Sequence, residues 1–264
     1  MKVNIFTNDS RPLDDSRKIR LVEALKAEGI EITEPDNADI IVSFGGDGTF
    51  LRAARKFGPL GHTLLGVNAG RLGYITAASA DDFEAIAKAL ASGNFNVECR
   101  SMLKVDTSED VGDAVLVALN EVALLKRDSA SMISSIVSLD GHDLATYVGD
   151  GLIISTPTGS TGYNLSVGGP ILEPSAPIFV ISPIAAHSLS LRPLVVADSS
   201  TISITTYSRS GSYLLSVDGE SVTMPTESHI SVGIAPFRLK VAYLPDHHFA
   251  DVLRRKLLWG VDKR

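Results

Sequence analysis

One carboxylate stands among three glycines in residues 45–49, Gly-Gly-Asp-Gly-Thr, between an apolar β-branched run and a helical pattern. Glycines allow positive φ and let a ligand approach the backbone closely. The N-terminus of the following helix offers free N–H groups and partial positive charge, which suit phosphate. The segment matches neither a Walker A loop nor a Gly-x-Gly-x-x-Gly fingerprint. We therefore predict a phosphate-binding loop of another kind.

The carboxylate of Asp47 needs its own explanation, because a bare carboxylate repels phosphate. It would hold a metal ion or accept a proton from a substrate hydroxyl. The alternative is a tight turn in which Asp47 bonds backbone N–H groups. Turn geometry alone accounts poorly for three glycines around one acid at a strand-to-helix junction, so we favour a chemical role.

Residues 149–170 lead from a short apolar strand into a loop rich in hydroxyl side chains and glycines. Hydroxyls and bare backbone N–H groups bind sugars and phosphates without needing charge. Tyr163 supplies a flat face for a base or a ribose. The alternative is a flexible polar surface loop, which Pro157 and the preceding strand argue against.

Asn120 and Glu121 interrupt an apolar run over residues 116–125 that otherwise reads as a core strand. Buried polar groups need partners, which are either internal or supplied by a ligand. An amide beside a carboxylate can bind a nucleobase edge or a ribose diol. His187 stands alone, which is more often structural than catalytic, and His247-His248 lack a third ligand nearby, so we predict no metal site there.

The elements that position these residues change in kind along the chain. Strands over 3–6, 39–44 and 63–67 alternate with helices over 16–28, 49–57 and a third that Ser79 begins and Gly93 ends. This alternation predicts a parallel sheet with ligands at the carboxyl ends of its strands. Short β-rich runs follow, and helical character returns over 247–259. We predict an α/β domain over 1–95, an all-β domain over 96–244, a tail over 245–264 that packs on the first, and a ligand cleft between the domains.

Composition excludes several classes of protein. The chain has 264 residues, 44% of them hydrophobic, and a formal net charge of −7. A disordered chain would be less apolar, a membrane helix would need about 18 apolar residues in a row, and a nucleic-acid-binding domain would show a basic excess. The tight basic cluster over 254–256 is interpreted as a solvated helix face. No signal peptide is evident, and the single cysteine, Cys99, is in keeping with the cytoplasm.

These segments together resemble the NAD kinase family over essentially the whole chain. The resemblance rests on residues 45–49, residues 66–74 (Gly-Val-Asn-Ala-Gly-Arg-Leu-Gly-Tyr), Asn120-Glu121, residues 149–151 with 155–166, and residues 187–194. The first segment alone is shared with phosphofructokinases and with diacylglycerol and sphingosine kinases. The combination in this order is much more specific. It implies an α/β Rossmann-like N-terminal domain and a β-rich C-terminal domain.

The family's reaction transfers a terminal phosphoryl group to the 2′-hydroxyl of the adenosine ribose of NAD, giving NADP. The resemblance implies that Asp47 accepts the hydroxyl proton, that ATP or polyphosphate is the donor, that Mg²⁺ accompanies it, and that the chain forms a homodimer or homotetramer. It implies a phosphate loop of Gly45, Gly46, Gly48 and Thr49. It implies NAD contacts from Gly48, Arg52, Asn68, Tyr74, Asn120, Glu121, Asp150, Thr158, Thr161, Gly162, Tyr163, Asn164, Leu165, Ser166 and Ala185.

Within that set, Asn120 and Glu121 would hold a nucleoside part of NAD, and Asp150 would bond its nicotinamide side. Thr158 and residues 161–166 would line the adenine and ribose pocket, with Tyr163 stacking. Arg52 would face an NAD phosphate.

The sequence departs from the family pattern at three positions. Val148 stands where relatives often carry a basic residue, Glu220 where an amide is common, and Gly162 where alanine is frequent. These departures bear on affinity and donor preference rather than on the reaction. Three alternative functions remain open. A lipid kinase should lack the loop over 156–166, and an NAD-sensing module would not need Asp47. A sugar-phosphate kinase would need more basic residues to bind a second phosphate.

Overall fold

A computed structural model of the chain describes residues 1–7, 16–69, 73–75, 78–79, 82–112, 116–128 and 131–260. The chain divides into two compact units. The first contains Met1–Arg100 and Leu239–Arg264, and the second contains Ser101–Arg238.

The strands of both units, in chain order, are β1 (Lys2–Phe6), β2 (Glu31–Ile32), β3 (Ile40–Gly45), β4 (Thr63–Asn68), β5 (Ala78–Ser79), β6 (Asn96–Arg100), β7 (Leu103–Thr107), β8 (Val117–Ala118), β9 (Glu121–Lys126), β10 (Ile133–Leu139), β11 (His142–Gly149), β12 (Gly151–Ser155), β13 (Ile178–Ile184), β14 (Leu194–Ala197), β15 (Ile202–Ser208), β16 (Ser212–Val217), β17 (Glu220–Pro225), β18 (His229–Ile234) and β19 (Leu239–Tyr243). The α-helices are α1 (Ser16–Ala27), α2 (Asp47–Phe57), α3 (Phe83–Ser92), α4 (Tyr163–Ser166) and α5 (Phe249–Leu257). Two 3₁₀ turns cover Pro35–Asn37 and Thr158–Thr161.

The first unit is built on one sheet with strand order β2-β1-β3-β4-β19-β6, and β5 pairs with β4. Its pairs are parallel except for the antiparallel pair of β19 with β6. The apolar run of β3 is buried along its whole length, as expected for a central parallel strand. The predicted α/β class is therefore confirmed, and β3 and β4 end side by side at Gly45 and Asn68.

Two local predictions for this unit differ from the structure. Ser79 lies in β5, and the N-cap residue of α3 is Asp82, so the prediction that Ser79 begins the helix is wrong. Gly93 ends α3 in the left-handed conformation, as predicted. Strands β6 and β19 lie inside the range predicted for the second domain, but their pairing places them in the sheet of the first unit.

The second unit contains two antiparallel sheets, ordered β11-β10-β15-β18-β7-β8 and β14-β13-β12-β9-β16-β17. Their inward-facing apolar side chains share one core, which includes Leu103, Ile133, Leu152 and Phe179. Alternating burial along β10 and β15 shows the period of two that one buried face requires. The β-rich prediction for this region is confirmed.

The predicted single strand over 116–125 is wrong in one respect. Within its described part the chain forms two strands, β8 and β9, and bends at Leu119 and Asn120. This bend takes Asn120 out of the strand ladder and puts Glu121 at the start of β9. None of the helices in the described part of the chain has the length and apolar character that crossing a membrane requires.

Candidate active site

Asp47 begins α2 directly after β3, at the edge where the parallel strands β3 and β4 end. A carboxylate in the first turn of a helix interacts favourably with the helix dipole. Asn68, the last residue of β4, is buried at the same edge. The order of strand, glycine pair and helix therefore places Asp47 where ligands of open α/β sheets bind.

The three glycines of the loop act differently from the expectation. None of Gly45, Gly46 and Gly48 has a positive φ, so that part of the prediction is wrong. A Cβ at Gly45 would collide with the buried side chain of Thr49. Nothing lies within 4 Å of a Cβ built at Gly46 or Gly48. Gly45 is thus explained by packing, whereas Gly46 and Gly48 leave open space beside the backbone.

Two backbone N–H groups hold the Asp47 carboxylate from a different segment. Tyr74 N donates to Oδ2 at 2.6 Å, and Ile75 N donates to Oδ1 at 3.2 Å. A Cβ at Gly73 would collide with the same carboxylate. These contacts fix the orientation of the Asp47 carboxylate. The other predicted residues of this segment, at positions 70–72, lie outside the described residues.

Lys256, which was not among the predicted site residues, lies near the same carboxylate. Its Nζ lies 5.7 Å from the centre of the Tyr74 ring, and the Tyr74 hydroxyl donates to its carbonyl at 3.3 Å. Burial lowers the pKa of Lys256, and the charge of Asp47 acts in the opposite direction. Burial and then the charge of Asp47 raise the pKa of Tyr74. Helical spacing could have revealed this, because Lys256 shares a face with the half-buried Val252 and Leu253.

A second polar cluster of this unit involves Tyr243 and His247, whose rings stack with centres 4.3 Å apart. Buried Arg100 donates from Nη2 to the Tyr243 hydroxyl at 2.7 Å and to Glu98 Oε2 at 2.8 Å. Burial raises the pKa of Tyr243 to about 12. Burial, followed by the positive charges of Lys256 and Arg100, lowers the pKa of His247 to about 4. His247 is therefore neutral at pH 7.

In the second unit, neighbouring groups satisfy the backbone around Asn120. Asp218 accepts N–H bonds from Leu119, Asn120 and Glu121. Thr156 N donates to the carbonyl of Asn120 at 2.9 Å. The side chains of the pair are not satisfied in the same way as its backbone. Asn120 Oδ1 and Glu121 Oε2 are buried and have no hydrogen-bond partner within the described part of the chain.

The buried position of Glu121 changes its acidity. Burial and then the charge of Asp218 raise the pKa of Glu121 to about 7, against an opposing N–H bond from Tyr163. A carboxyl group with this pKa changes charge near neutral pH. Buried groups whose pKa is shifted this strongly are candidates for a functional site.

The predicted binding loop packs tightly against this pair. A Cβ at Gly159 would collide with the backbone of Asn120, and a Cβ at Gly162 would lie 3.0 Å from Glu121 Oε2. Thr158 is buried, Thr161 is half-buried, and Tyr163 is 38% exposed. The structure thus brings the two predicted motifs of this unit together.

Asn164 is engaged inside the second unit. Its Nδ2 donates to the carbonyls of Ser160 and Pro170 at 3.2 and 3.0 Å, and its Oδ1 accepts from Ser182 Oγ at 2.6 Å. The next two predicted residues, Leu165 and Ser166, are half-buried and exposed, respectively. Asn164 therefore orders the short helix α4 that carries its neighbours.

Asp150 and Ala185 lie at the ends of β12 and β13. Lys126 Nζ contacts Asp150 Oδ1 at 2.7 Å, and Asp150 N donates to the Ile184 carbonyl at 2.9 Å. Ala185 is exposed and has φ 46°, which is unusual for a residue with a Cβ. A Cβ at Gly149 would lie 2.7 Å from the Ile184 carbonyl oxygen. Backbone outliers of this kind often mark functional segments.

The remaining predicted residue, Arg52, is exposed on α2. Among the described residues no group of three or more His, Cys, Asp and Glu side chains is arranged to hold a metal ion.

Two family models match the chain. The model described as ATP-NAD kinase N-terminal domain covers residues 7–95, and the ATP-NAD kinase C-terminal domain covers residues 119–242.

Curated relatives and solved structures agree with this match. The chain is 42% identical over 240 residues to an NAD kinase of Bacteroides fragilis, covering 91% of this chain and 83% of the relative. It is 44% identical over 236 residues to an NAD kinase of Porphyromonas gingivalis, covering 89% and 81%.

Two solved structures are similar. An NAD kinase from Archaeoglobus fulgidus in complex with ATP has a TM-score of 0.78 at 29% identity and 97% coverage of both chains. Yeast NADH kinase complexed with NADH has a TM-score of 0.86 at 22% identity, covering 100% of this chain and 89% of that one, which shows the fold alone. With both family models matched and relatives above 40% identity over most of their length, the chain belongs to the NAD kinase family.

Proposed function

We propose that this chain transfers the terminal phosphoryl group of ATP to the 2′-hydroxyl of the adenosine ribose of NAD, giving NADP. The observation that carries the proposal is the pair of buried acceptor atoms, Asn120 Oδ1 and Glu121 Oε2, which lack partners within the described residues. A buried polar atom without a partner costs about 1–3 kcal/mol. Hydroxyl and amino groups of a nucleoside are donors that would remove this cost.

Asp47 is the base in this proposal. Its carboxylate accepts the 2′-hydroxyl proton while the hydroxyl oxygen attacks the terminal phosphorus in line with the leaving group. The N–H groups of Tyr74 and Ile75 support this role because they fix the carboxylate's orientation. Fixing a reacting group in advance removes part of the entropic barrier.

The donor phosphates are assigned to the start of α2. The open backbone at Gly46 and Gly48 and the helix N-terminus support this assignment, as does the ATP bound to the related Archaeoglobus protein. ATP is taken as its Mg²⁺ complex. The described residues offer no cage of three or more ligands for the ion, so most of its ligands would be phosphate oxygens and waters, as Mg²⁺ commonly prefers.

The other NAD contacts follow the family resemblance. Asp150 is assigned to the nicotinamide side, and Thr158 and residues 161–166 to adenine and ribose, with Tyr163 stacking. The bonds of the Asn164 side chain limit its contribution to its backbone. The assigned NAD contacts also include Asn68, Tyr74 and Ala185, and Arg52 is assigned to an NAD phosphate.

We also propose that the chain forms a homodimer or homotetramer through the second unit. Met132, Ile136 and Tyr207 are exposed on or beside the neighbouring strands β10 and β15. An open cavity of about 500 Å³ beside them is lined by residues that include Val148, Arg209 and Glu227. Sedimentation velocity of wild type and Ile136→Lys tests this: the variant should dissociate, and an unchanged sedimentation coefficient would contradict the proposal.

The reaction is tested with purified protein, NAD, ATP and Mg²⁺, with NADP followed by an NADP-specific dehydrogenase. Steady NADP production is expected. Tight NAD binding without NADP formation would favour an NAD-sensing module, and the absence of both would contradict the proposal.

A further inference from the structure

Asp218 lies in the two-residue turn between β16 and β17, far in sequence from the Asn120–Glu121 pair. Its carboxylate nevertheless accepts three backbone N–H bonds from the segment that contains the pair. Leu119 N donates to Oδ2 at 2.8 Å, and Asn120 N and Glu121 N donate to Oδ1 at 2.8 and 3.1 Å. One side chain thus fixes three consecutive amides at the bend between β8 and β9.

The carbonyl groups of this segment also accept hydrogen bonds. Asp218 N donates to the Glu121 carbonyl at 3.0 Å, and Thr156 Oγ1 bonds the Leu119 carbonyl. The backbone of the bend is therefore bonded through both its amides and its carbonyls. The side-chain atoms Asn120 Oδ1 and Glu121 Oε2 stay without partners in the described chain. This arrangement holds two acceptors ready for a ligand.

A second turn of the same unit shows that a hairpin does not require so many bonds. Asp140 precedes Gly141 between β10 and β11, as Asp218 precedes Gly219, and the two aspartates have similar φ values of 51° and 47°. Asp140 accepts one N–H bond, from Thr201 at 2.8 Å. The additional bonds of Asp218 are specific to the Asn120–Glu121 segment.

Asp218 also acts on Glu121 through its charge. The pKa of Glu121 is raised to about 7 by two causes, of which burial is the larger and the negative charge of Asp218 is the second. The titratable side chains on the adjoining elements are Tyr163 at the start of α4, Tyr213 on β16, and Asp218 and Glu220 at the β16–β17 turn. Lys126 lies at the opposite end of β9 itself. No cation is among the causes acting on Glu121.

We propose that Asp218 is a positioning residue for nucleoside binding, which fixes the Asn120–Glu121 pair and controls the charge of the Glu121 carboxyl. The inference rests on the proposed function. A ribose hydroxyl donates a stronger hydrogen bond to the Glu121 carboxylate than to its neutral carboxyl form, so NAD binding below the pKa of Glu121 favours loss of its proton. NAD affinity therefore rises with pH up to about neutral and then levels.

The test is NAD binding by calorimetry between pH 5.5 and 8.5 for wild type, Asp218→Asn, Glu121→Gln, their double variant and Asp140→Asn. Asp218→Asn should raise the Kd about 10-fold or more at pH 8, because one N–H then faces an amide donor. It should also move the pH midpoint of binding down by roughly one unit, because the charge that raises the Glu121 pKa is gone. Glu121→Gln should remove the midpoint, and Asp140→Asn should match wild type.

Several results of these binding measurements would contradict the inference. If Asp218→Asn keeps both the Kd and the midpoint, or if its effect adds fully to that of Glu121→Gln without moving the midpoint, the inference is wrong. If Asp218→Asn does not fold, Asp218→Glu decides: a raised Kd with an unchanged midpoint supports the inference, and an unchanged Kd overturns it. Failure of the wild type to bind NAD would overturn the proposed function and this inference together.

Discussion

The charge of Glu121 should affect stability as well as binding. Its pKa rises from 4.5 to about 7 on folding, so the folded protein binds more protons than the unfolded chain between these values. The unfolding free energy of the wild type therefore falls as pH rises through this window. Glu121→Gln should be more stable than wild type at pH 8, by at most about 3 kcal/mol, with the difference shrinking toward pH 4.5.

Denaturant unfolding at several pH values checks this prediction, with the exposed Glu220→Gln as control. A constant difference between Glu121→Gln and wild type across the window would show that Glu121 is not held in this way.

The surroundings of the two site carboxylates, Asp47 and Glu121, were only partly predictable. The glycines around Asp47 and the apolar neighbours of Glu121 were sufficient to single out both carboxylates. The N–H bonds from Tyr74 and Ile75 to Asp47 were not predictable, because a segment distant in sequence supplies them. The same holds for Asp218, whose sequence signal is only that of a turn.

Among the elements, segments with a clear apolar pattern were predictable, whereas a strand defined mainly by its pairing was not. Helices α1, α2 and α5 lie close to their predicted ranges because each has an apolar period. Strands β3 and β4 do so because each is a nearly continuous apolar run. Strand β11 carries no comparable signal, since its sequence lacks clean alternation and its pairing with β10 defines it. The basic residues of helix α5 predicted a solvated face, but Lys256 is half-buried and lies near Asp47.

The stacking of His247 on Tyr243, just before α5, predicts an acid-sensitive contact. The pKa of His247 falls from 6.5 to about 4 on folding, so the unfolded chain binds more protons between these values. The stability contributed by neutral His247 is present above pH 6.5 and is lost as pH falls toward 4.

Replacing His247 with Phe keeps the ring stacking and removes the titration. The variant should lose less stability than wild type from pH 7 to pH 4.5, measured by thermal unfolding. The exposed His142→Gln should behave as wild type. Equal acid sensitivity in His247→Phe and wild type would refute the assignment.

At the scale of the whole molecule, the chain leaves the first unit after Arg100 and returns to it at Leu239. The change from alternating to β-rich patterns indicated two parts, but the place of β19 beside β4 depends on a pairing that no local pattern specifies. The first and last residues of the second unit meet in one network. Arg238 donates to Ser101 Oγ and to Asp198 Oδ2, both at 2.6 Å.

Breaking this network should destabilise the second unit. Arg238→Met leaves the Asp198 carboxylate, whose side chain is 9% exposed, without its cation. We expect a loss of roughly 2–4 kcal/mol in denaturant unfolding, because an uncompensated buried charge is costly. The double variant Arg238→Met/Asp198→Asn should recover much of the loss. Equal stability of Arg238→Met and wild type would show that the network contributes nothing.

The role of Asp47 as the base is tested most directly by the kinetics of Asp47→Asn, measured together with its NAD affinity. The variant removes the proton acceptor and keeps the size of the side chain. We predict that kcat for NADP formation falls by about 10²- to 10⁴-fold while the Kd for NAD stays within a few-fold of wild type. An Asp47→Asn protein that binds NAD normally and keeps most of its turnover would contradict the role of Asp47 as the base.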